Sequence, residues 1–192
     1  MKLLLAGMAL SAVCGAFSSF IVYFANNKEG MQTIAYWMMG SLAGAQWGEL
    51  AVIAPIIIAS ILFFWTQSRV LNLMLLGDES AITMGTDLHA YRQWYLLISS
   101  LIVGFAVYSA GMIGFVGLIV PHVIRMFTGP DHKRLLPVAA LVGAIFLVVA
   151  DGLCRVIIPH TELPIGILIS MIGAPSFIYL MIKKTYGFGG SD

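Results

Sequence analysis

Charged residues divide the chain into long apolar segments, and these segments are the first guide to its structure. Five strongly apolar runs lack Asp, Glu, Lys and Arg, at residues 3–27, 50–68, 93–124, 135–150 and 163–182. An α-helix rises about 1.5 Å per residue, so about 20 apolar residues cross a hydrocarbon core roughly 30 Å thick. Four of the runs suit one membrane span each, and the pattern predicts an all-α polytopic membrane protein.

The run 93–124 is too long for one span and too short for two ordinary ones. Glycine recurs at every third position near its end, at Gly111, Gly114 and Gly117. These glycines predict a reversal, followed by a short second helix from about Gly114 to Thr128. That helix would contain Pro121, His122 and Arg125. Such a segment is acceptable in a membrane when protein surrounds it. The pattern therefore predicts six transmembrane segments.

The basic residues test this count. If Lys2 is cytoplasmic and the segments alternate, eight basic residues lie on the cytoplasmic side: Lys2, Arg69, Arg92, Arg125, Lys133, Arg134, Lys183 and Lys184. Only Lys28 and Arg155 lie outside. This bias agrees with the positive-inside rule and places the C-terminus in the cytoplasm. The N-terminus imitates a signal peptide, but its uncharged stretch continues to Asn27, so we interpret it as a retained transmembrane helix.

Composition supports the membrane assignment and narrows the function. Of the 192 residues, 60% are hydrophobic and 10% are charged, against roughly 25% charged in soluble domains. The net charge of +1 does not indicate a nucleic-acid partner. HExxH, GxSxG and Walker A motifs do not occur in the sequence, and the four histidines lack metal-ligand spacing. We therefore expect no catalytic residue and no metal site.

The largest predicted cytoplasmic loop contains the sequence LNLMLLGDESAITMG at residues 71–85. Gly77 follows an apolar stretch, and Asp78 is a suitable N-cap for a second helix. Glu79 would lie in its first turn and Gly85 would stop it. The loop is predicted to form two short helices, the second of which exposes Ala81, Ile82 and Met84. Its acidic front favours a protein partner over anionic lipid.

Asp151 and Arg155 lie four residues apart at the end of an otherwise uncharged run. This spacing puts both side chains on one face of a helix and predicts an ion pair. Arg155 also lies on the predicted outer side, against the charge bias. Its side chain either extends to lipid headgroups or offers a cation to an acidic partner outside. The residues alone leave both interpretations open.

Four segments together resemble the FecCD-type permeases, the membrane subunits of ABC importers for iron–siderophores, haem and cobalamin. The resemblance is carried by residues 111–155, by ELPIGILISMIGAPSFIYL, by YWMMGSLAGAQW and by LGDESAITMG. It covers the chain from Leu3 to Lys184. It implies that residues 1–192 form a single transmembrane permease domain whose six segments match the last six of ten helices. We expect the chain to be about the C-terminal 60% of a full permease, with the first four helices absent.

The resemblance also implies partners and functional residues. The permease is expected in a bacterial cell membrane, where it pairs with a second permease and binds an ATP-binding subunit and an outer substrate-binding protein. ATP and Mg would be bound by the ATPase, with no cofactor on this chain. The implied coupling residues are Leu75, Leu76, Gly77, Asp78, Glu79, Ser80, Ala81, Ile82 and Gly85. Arg155 matches the position that pairs with a carboxylate of the binding protein.

Two other classes of function are kept as alternatives. An intramembrane enzyme would use Asp151, His122 or Glu162, and it would need these groups at one membrane depth. A secondary transporter or channel would work without ATP, and co-purification with an ATPase would distinguish it from an importer. The sequence does not specify a substrate.

Overall fold

The computed structural model describes residues 2–24, 28–157 and 163–185, and all regular structure in these ranges is helical. The helices are α1 (Lys2–Phe24), α2 (Lys28–Met39), α3 (Trp47–Thr66), α4 (Ser68–Leu76), α5 (Asp78–Thr83), α6 (Leu88–Ala110), α7 (Val116–Thr128), α8 (His132–Ile157) and α9 (Ile165–Thr185). The chain forms two compact units, residues 1–38 and 39–192. The prediction of an all-α protein is confirmed for the described residues.

Within these residues, four helices are long and apolar enough to cross a membrane: Leu5–Phe24, Trp47–Thr66, Leu88–Ala110 and His132–Ile157. Two shorter apolar helices, Val116–Thr128 and Ile165–Tyr179, account for the remaining predicted segments. All six predicted segments are therefore helical. Length and composition support a span for four of them, and six spans stay a prediction.

The first unit contains α1 and nearly all of α2. The apolar runs predict no helix between residues 27 and 50, whereas the structure forms a helix over Lys28–Met39. Charged residues mark the ends of apolar runs in this pattern, so the pattern does not indicate a helix that begins with Lys28 and Glu29. Glu29 lies in the first turn, where a carboxylate interacts favourably with the helix dipole.

The second unit is organised around α7, α8 and α9, which pack against one another. One buried cluster joins α8 to α9 through Ala150, Cys154, Ile165 and Ile169. A second cluster joins α7 to the start of α8 through Val120, Ile124 and Leu135. The short α7 therefore contacts protein along one side, as a proline-containing helix with an arginine requires.

The predicted interruption between α6 and α7 is found, and it occupies residues 111–115; the reversal itself stays a prediction. Gly111 has φ 70°, and its amide donates to the Val107 carbonyl at 2.8 Å. Phe115, not Gly114, is the second residue with a positive φ, at 63°. The Ala110 carbonyl accepts a hydrogen bond from the Ser41 amide at 2.9 Å, so the segment after α2 covers the end of α6.

Gly166, in the first turn of α9, lies against two backbone segments. A Cβ atom at this position would overlap the Met39 carbonyl oxygen and lie 3.2 Å from the Met112 carbonyl oxygen. Backbone atoms cannot move aside as a flexible side chain can. The absence of a side chain at Gly166 therefore allows α9 to approach Met39 and the 111–115 segment.

We expect Gly166→Ala to lower the free energy of unfolding by about 1–3 kcal/mol, the usual cost of overpacking a close contact. Thermal unfolding of the purified protein in detergent measures this change. Gly143→Ala is the matched control, because its Cβ would lie 3.9 Å from Val120 Cγ1, an ordinary contact. Equal unfolding temperatures for the two variants would contradict the packing assignment.

Candidate functional site

Residues 68–83 form two consecutive short helices, α4 and α5, which are joined by Gly77 and are together called the α4–α5 element. The connecting Gly77 has φ 91° and ψ 165°, a conformation open essentially to glycine. The Gly77 carbonyl accepts from the Ala81 amide at 3.2 Å, which makes Gly77 the N-cap of α5. The prediction of two short helices is confirmed. The assignment of Asp78 as N-cap is wrong by one residue, because the turn at Gly77 lets the helix begin immediately.

Gly85 follows the C-terminal end of α5, as the sequence predicts. Gly85 has φ 79°, and its amide donates to the Ile82 carbonyl at 2.9 Å. The Thr86 amide donates to the Ala81 carbonyl at 3.0 Å. These bonds satisfy carbonyls that the helix leaves without partners at its end.

The predicted coupling residues differ in exposure. Leu75, Leu76 and Ile82 are exposed, with Ile82 67% accessible, and Ser80 is half-buried. Met84 is also exposed, as the sequence predicts. The prediction that Ala81 is exposed is wrong, since its accessibility is 0%. The short helix α5 packs against α4 and α6, and the small Ala81 side chain lies on the face of α5 that is buried by this packing. The side chains of Asp78 and Glu79 lie outside the described part of the chain.

Polar contacts attach α4 to the turn between α7 and α8. The Asn72 side-chain amide donates through Nδ2 to Asp131 Oδ1 at 2.8 Å. Asn72 Oδ1 accepts from the His132 backbone amide at 2.9 Å and lies 2.8 Å from His132 Nδ1. The hydrogen bond from Asn72, followed by that from the Lys133 amide, lowers the pKa of the Asp131 carboxyl. Asp131 therefore stays ionised in this contact at neutral pH.

A third helix reaches the same turn. Pro137 has no amide hydrogen, so the Lys133 carbonyl four residues earlier has no partner within α8. Trp65 Nε1, at the end of α3, donates to this carbonyl at 3.0 Å. The sequence patterns assign no functional role to residues 130–134. Two sequence features could have indicated these contacts, namely an asparagine within the apolar sequence of α4 and a proline in the second turn of α8.

Arg155 is close to the C-terminal end of α8. Its Nε atom lies 2.8 Å from Asp151 Oδ2, and the predicted ion pair is confirmed. The Arg155 side chain is 49% exposed and that of Asp151 is 24% exposed. Asp151 thus holds one edge of the guanidinium while about half of the side-chain surface stays accessible.

Two of the three residues named for an intramembrane enzyme lie on described helices. His122 lies on α7 and Asp151 on α8, where Asp151 pairs with Arg155. Glu162 lies outside the described residues. In the ranges that are described, no group of three or more His, Cys, Asp or Glu side chains could hold a metal ion.

Comparison with known proteins identifies the family. The family model described as the FecCD transport family matches residues 1–183. The chain belongs to the FecCD transport family. The match covers the described helices α1–α8 completely and most of α9. Membership thus agrees with the resemblance that the sequence motifs indicated.

Three curated relatives illustrate the range of this FecCD family. The hemin transport system permease protein HmuU of Yersinia pestis is 42% identical over 183 residues, covering 95% of this chain and 54% of the relative. The cobalamin import system permease protein BtuC of Halobacterium salinarum is 41% identical, covering 93% and 47%. The Fe(3+) dicitrate transport system permease protein FecD of Escherichia coli is 39% identical, covering 95% and 57%.

A solved structure is also similar. It shows an inward-facing conformation of a metal-chelate type ABC transporter, with a TM-score of 0.87 and 35% sequence identity. The similarity covers 93% of this chain and 58% of the other. The chain spans about half the length of the curated relatives it matches.

We expect Gly77→Ala to destabilise the α4–α5 element by about 1–3 kcal/mol, because φ 91° with ψ 165° strains any residue with a Cβ. Hydrogen exchange of the α5 amides measures this local opening. The control is Gly48→Ala, because Gly48 lies in the first turn of α3 without a positive φ and with open space around it. Unchanged exchange in the Gly77 variant would show that the turn tolerates a side chain.

Proposed function

We propose that this chain is part of the permease subunit of an ATP-driven ABC importer for an iron–siderophore or a related metal chelate. The observation that carries the proposal is the family match over residues 1–183. The relatives named for hemin, cobalamin and Fe(3+) dicitrate transport support this class of substrate. The inward-facing metal-chelate type transporter supports the same architecture.

In the proposed assembly the chain performs no bond chemistry. A separate ATP-binding subunit holds ATP and Mg, a second permease completes the pathway, and a substrate-binding protein delivers the chelate from outside. The six segments correspond to the last six helices of a ten-helix permease in a bacterial cell membrane, with the C-terminus in the cytoplasm. Co-purification of the membrane-inserted protein with an ATPase, and ATP-dependent uptake of a chelate, test this proposal.

The α4–α5 element has the form expected of the surface that contacts the ATPase. Its exposed side chains Leu76 and Ile82 are apolar, although the element is predicted to lie in the cytoplasm. Buried Ala81 and the fixed turns at Gly77 and Gly85 hold these side chains in place. ATP binding would move this element, and the helices attached to it would tilt between two states of the pathway.

For Ile82→Asp we expect the affinity of the ATPase for the permease to fall about tenfold or more, because burying an isoleucine contributes roughly 1.5–3 kcal/mol. Ile82→Leu is the matched control, since it keeps the apolar area. Substrate-stimulated ATP hydrolysis by the assembled importer and subunit binding measure the effect. The coupling assignment is wrong if the aspartate variant binds and stimulates the ATPase normally, because an exposed position should not affect folding.

Arg155 is proposed to contact a carboxylate of the substrate-binding protein. Its pairing with Asp151 holds the guanidinium beside α8, while 49% of the Arg155 side chain stays exposed to a partner. This geometry supports the docking interpretation over simple extension into lipid headgroups, because the side chain is held near its own helix.

We expect Arg155→Glu to weaken docking of the substrate-binding protein at least tenfold, because it reverses the charge and adds a carboxylate beside Asp151. Arg155→Lys keeps the cation and should retain most of the affinity. Binding of the substrate-bound protein to the importer in nanodiscs, measured at low and high salt, checks this outcome. Equal affinity of the glutamate variant would exclude the docking role.

A further inference from the structure

The attachment of α4 to the N-terminus of α8 carries an inference that rests on the proposed function. We propose that Asn72 is a positioning residue that transmits movement of the α4–α5 element to α8. The link consists of Asn72, Asp131 and His132, and we call it the Asn72 link. Its two sides are 59 and 60 residues apart in sequence, so it joins separate elements of the fold.

Every hydrogen-bonding direction of the Asn72 link is determined by its chemistry. The ionised Asp131 carboxylate can only accept, so the Asn72 amide nitrogen must face it. Asn72 Oδ1 then faces His132 and accepts from its backbone amide, and the hydrogen of the imidazole must be on Nδ1. The Asn72 side chain cannot flip without losing all three contacts. It therefore fixes the position of α4 relative to the turn.

The link ends at the cap of a long helix. Asp131 Oδ1 also accepts from the Lys133 amide at 3.0 Å, and the Asp131 carbonyl accepts from the Leu135 amide at 2.9 Å. Asp131 is thus the N-cap of α8, which continues for 26 residues to Ile157. A displacement of Asn72 acts directly on the end of this helix. Arg155, the proposed outer contact, lies near its other end.

An open groove of about 440 Å³ lies beside this link, and its lining includes Asn72, Leu73, Pro130 and Asp131. The three polar contacts join α4 to the start of α8 next to this groove. Hydrogen bonds are directional, so they resist sliding of α4 along the turn more than an apolar contact of the same size would.

A second tie to the same turn supports the assignment. Trp65 at the end of α3 donates to the Lys133 carbonyl, next to the cap residue. Gln67, between α3 and α4, instead contacts α6, because the Tyr95 hydroxyl donates to Gln67 Oε1 at 3.1 Å. Polar contacts thus connect the α3–α4 region both to the start of α8 and to α6.

The test measures the amount of chelate imported per ATP hydrolysed by the assembled importer. We expect Asn72→Leu to lower this ratio about tenfold while assembly with the ATPase and basal hydrolysis stay within twofold of wild type. Tyr95→Phe is the control, because it removes the tie to α6 and leaves the Asn72 link intact. A wild-type ratio for Asn72→Leu would overturn the proposal. Parallel losses of assembly, hydrolysis and import at a constant ratio would also overturn it, since they indicate a structural role alone.

Two single variants keep the test decisive if Asn72→Leu does not fold. Asn72→Asp places two carboxylates against each other and should lower the ratio. Asp131→Asn is its control, because the asparagine Oδ1 can still accept from both Asn72 Nδ2 and the Lys133 amide and Asn serves as an N-cap. A lowered ratio for Asn72→Asp with a wild-type ratio for Asp131→Asn supports the Asn72 link, and a wild-type ratio for Asn72→Asp overturns it. If wild type neither binds an ATPase nor imports with ATP, the proposed function fails and this inference fails with it.

Discussion

A hydrocarbon solvent offers peptide groups no hydrogen-bond partner, and this constraint accounts for where the helices begin, end and break. The break at 111–115 lies between two apolar helices, and its backbone groups find partners within the protein. The Gly111 amide donates to Val107, and the Ala110 carbonyl accepts from Ser41. Gly166 allows α9 to approach this region closely enough to cover it. The interruption is therefore stable because three separate segments meet there.

The same requirement explains the polar contacts of the turn before α8. Pro137 leaves the Lys133 carbonyl without a helical partner, and Trp65 supplies one. The Asn72 amide is satisfied at both ends by Asp131 and His132. Losing either partner would leave a partly buried polar group unpaired, which costs more than the hydrogen bond contributes. These contacts thus specify one arrangement of α3, α4 and α8 where apolar packing alone would permit several.

Sequence patterns predict the long helices well because charge marks their ends. The run 50–68 corresponds to α3 over Trp47–Thr66, and the run 135–150 lies within α8. The same reasoning missed α2, because its charged first turn was taken as a boundary. It also misplaced Ala81, since no local signal shows which face of a six-residue helix is buried. The partners of Asn72 could not be predicted, because residues about 60 positions apart show no periodicity.

The composition of α8 restricts how its two ends can communicate. Residues 135–150 contain no polar side chain, so the helix offers no side-chain hydrogen bonds between Asp131 at its start and Asp151 near its end. An effect at one end can instead reach the other by movement of the helix together with the helices packed on it. Close-packed interiors transmit such movement, because they deform little. A helix of 26 residues is about 39 Å long, so a small tilt that starts at its N-cap displaces its far end by a larger distance. The Asn72 contacts lie at that cap, the position from which a small displacement can tilt the whole helix.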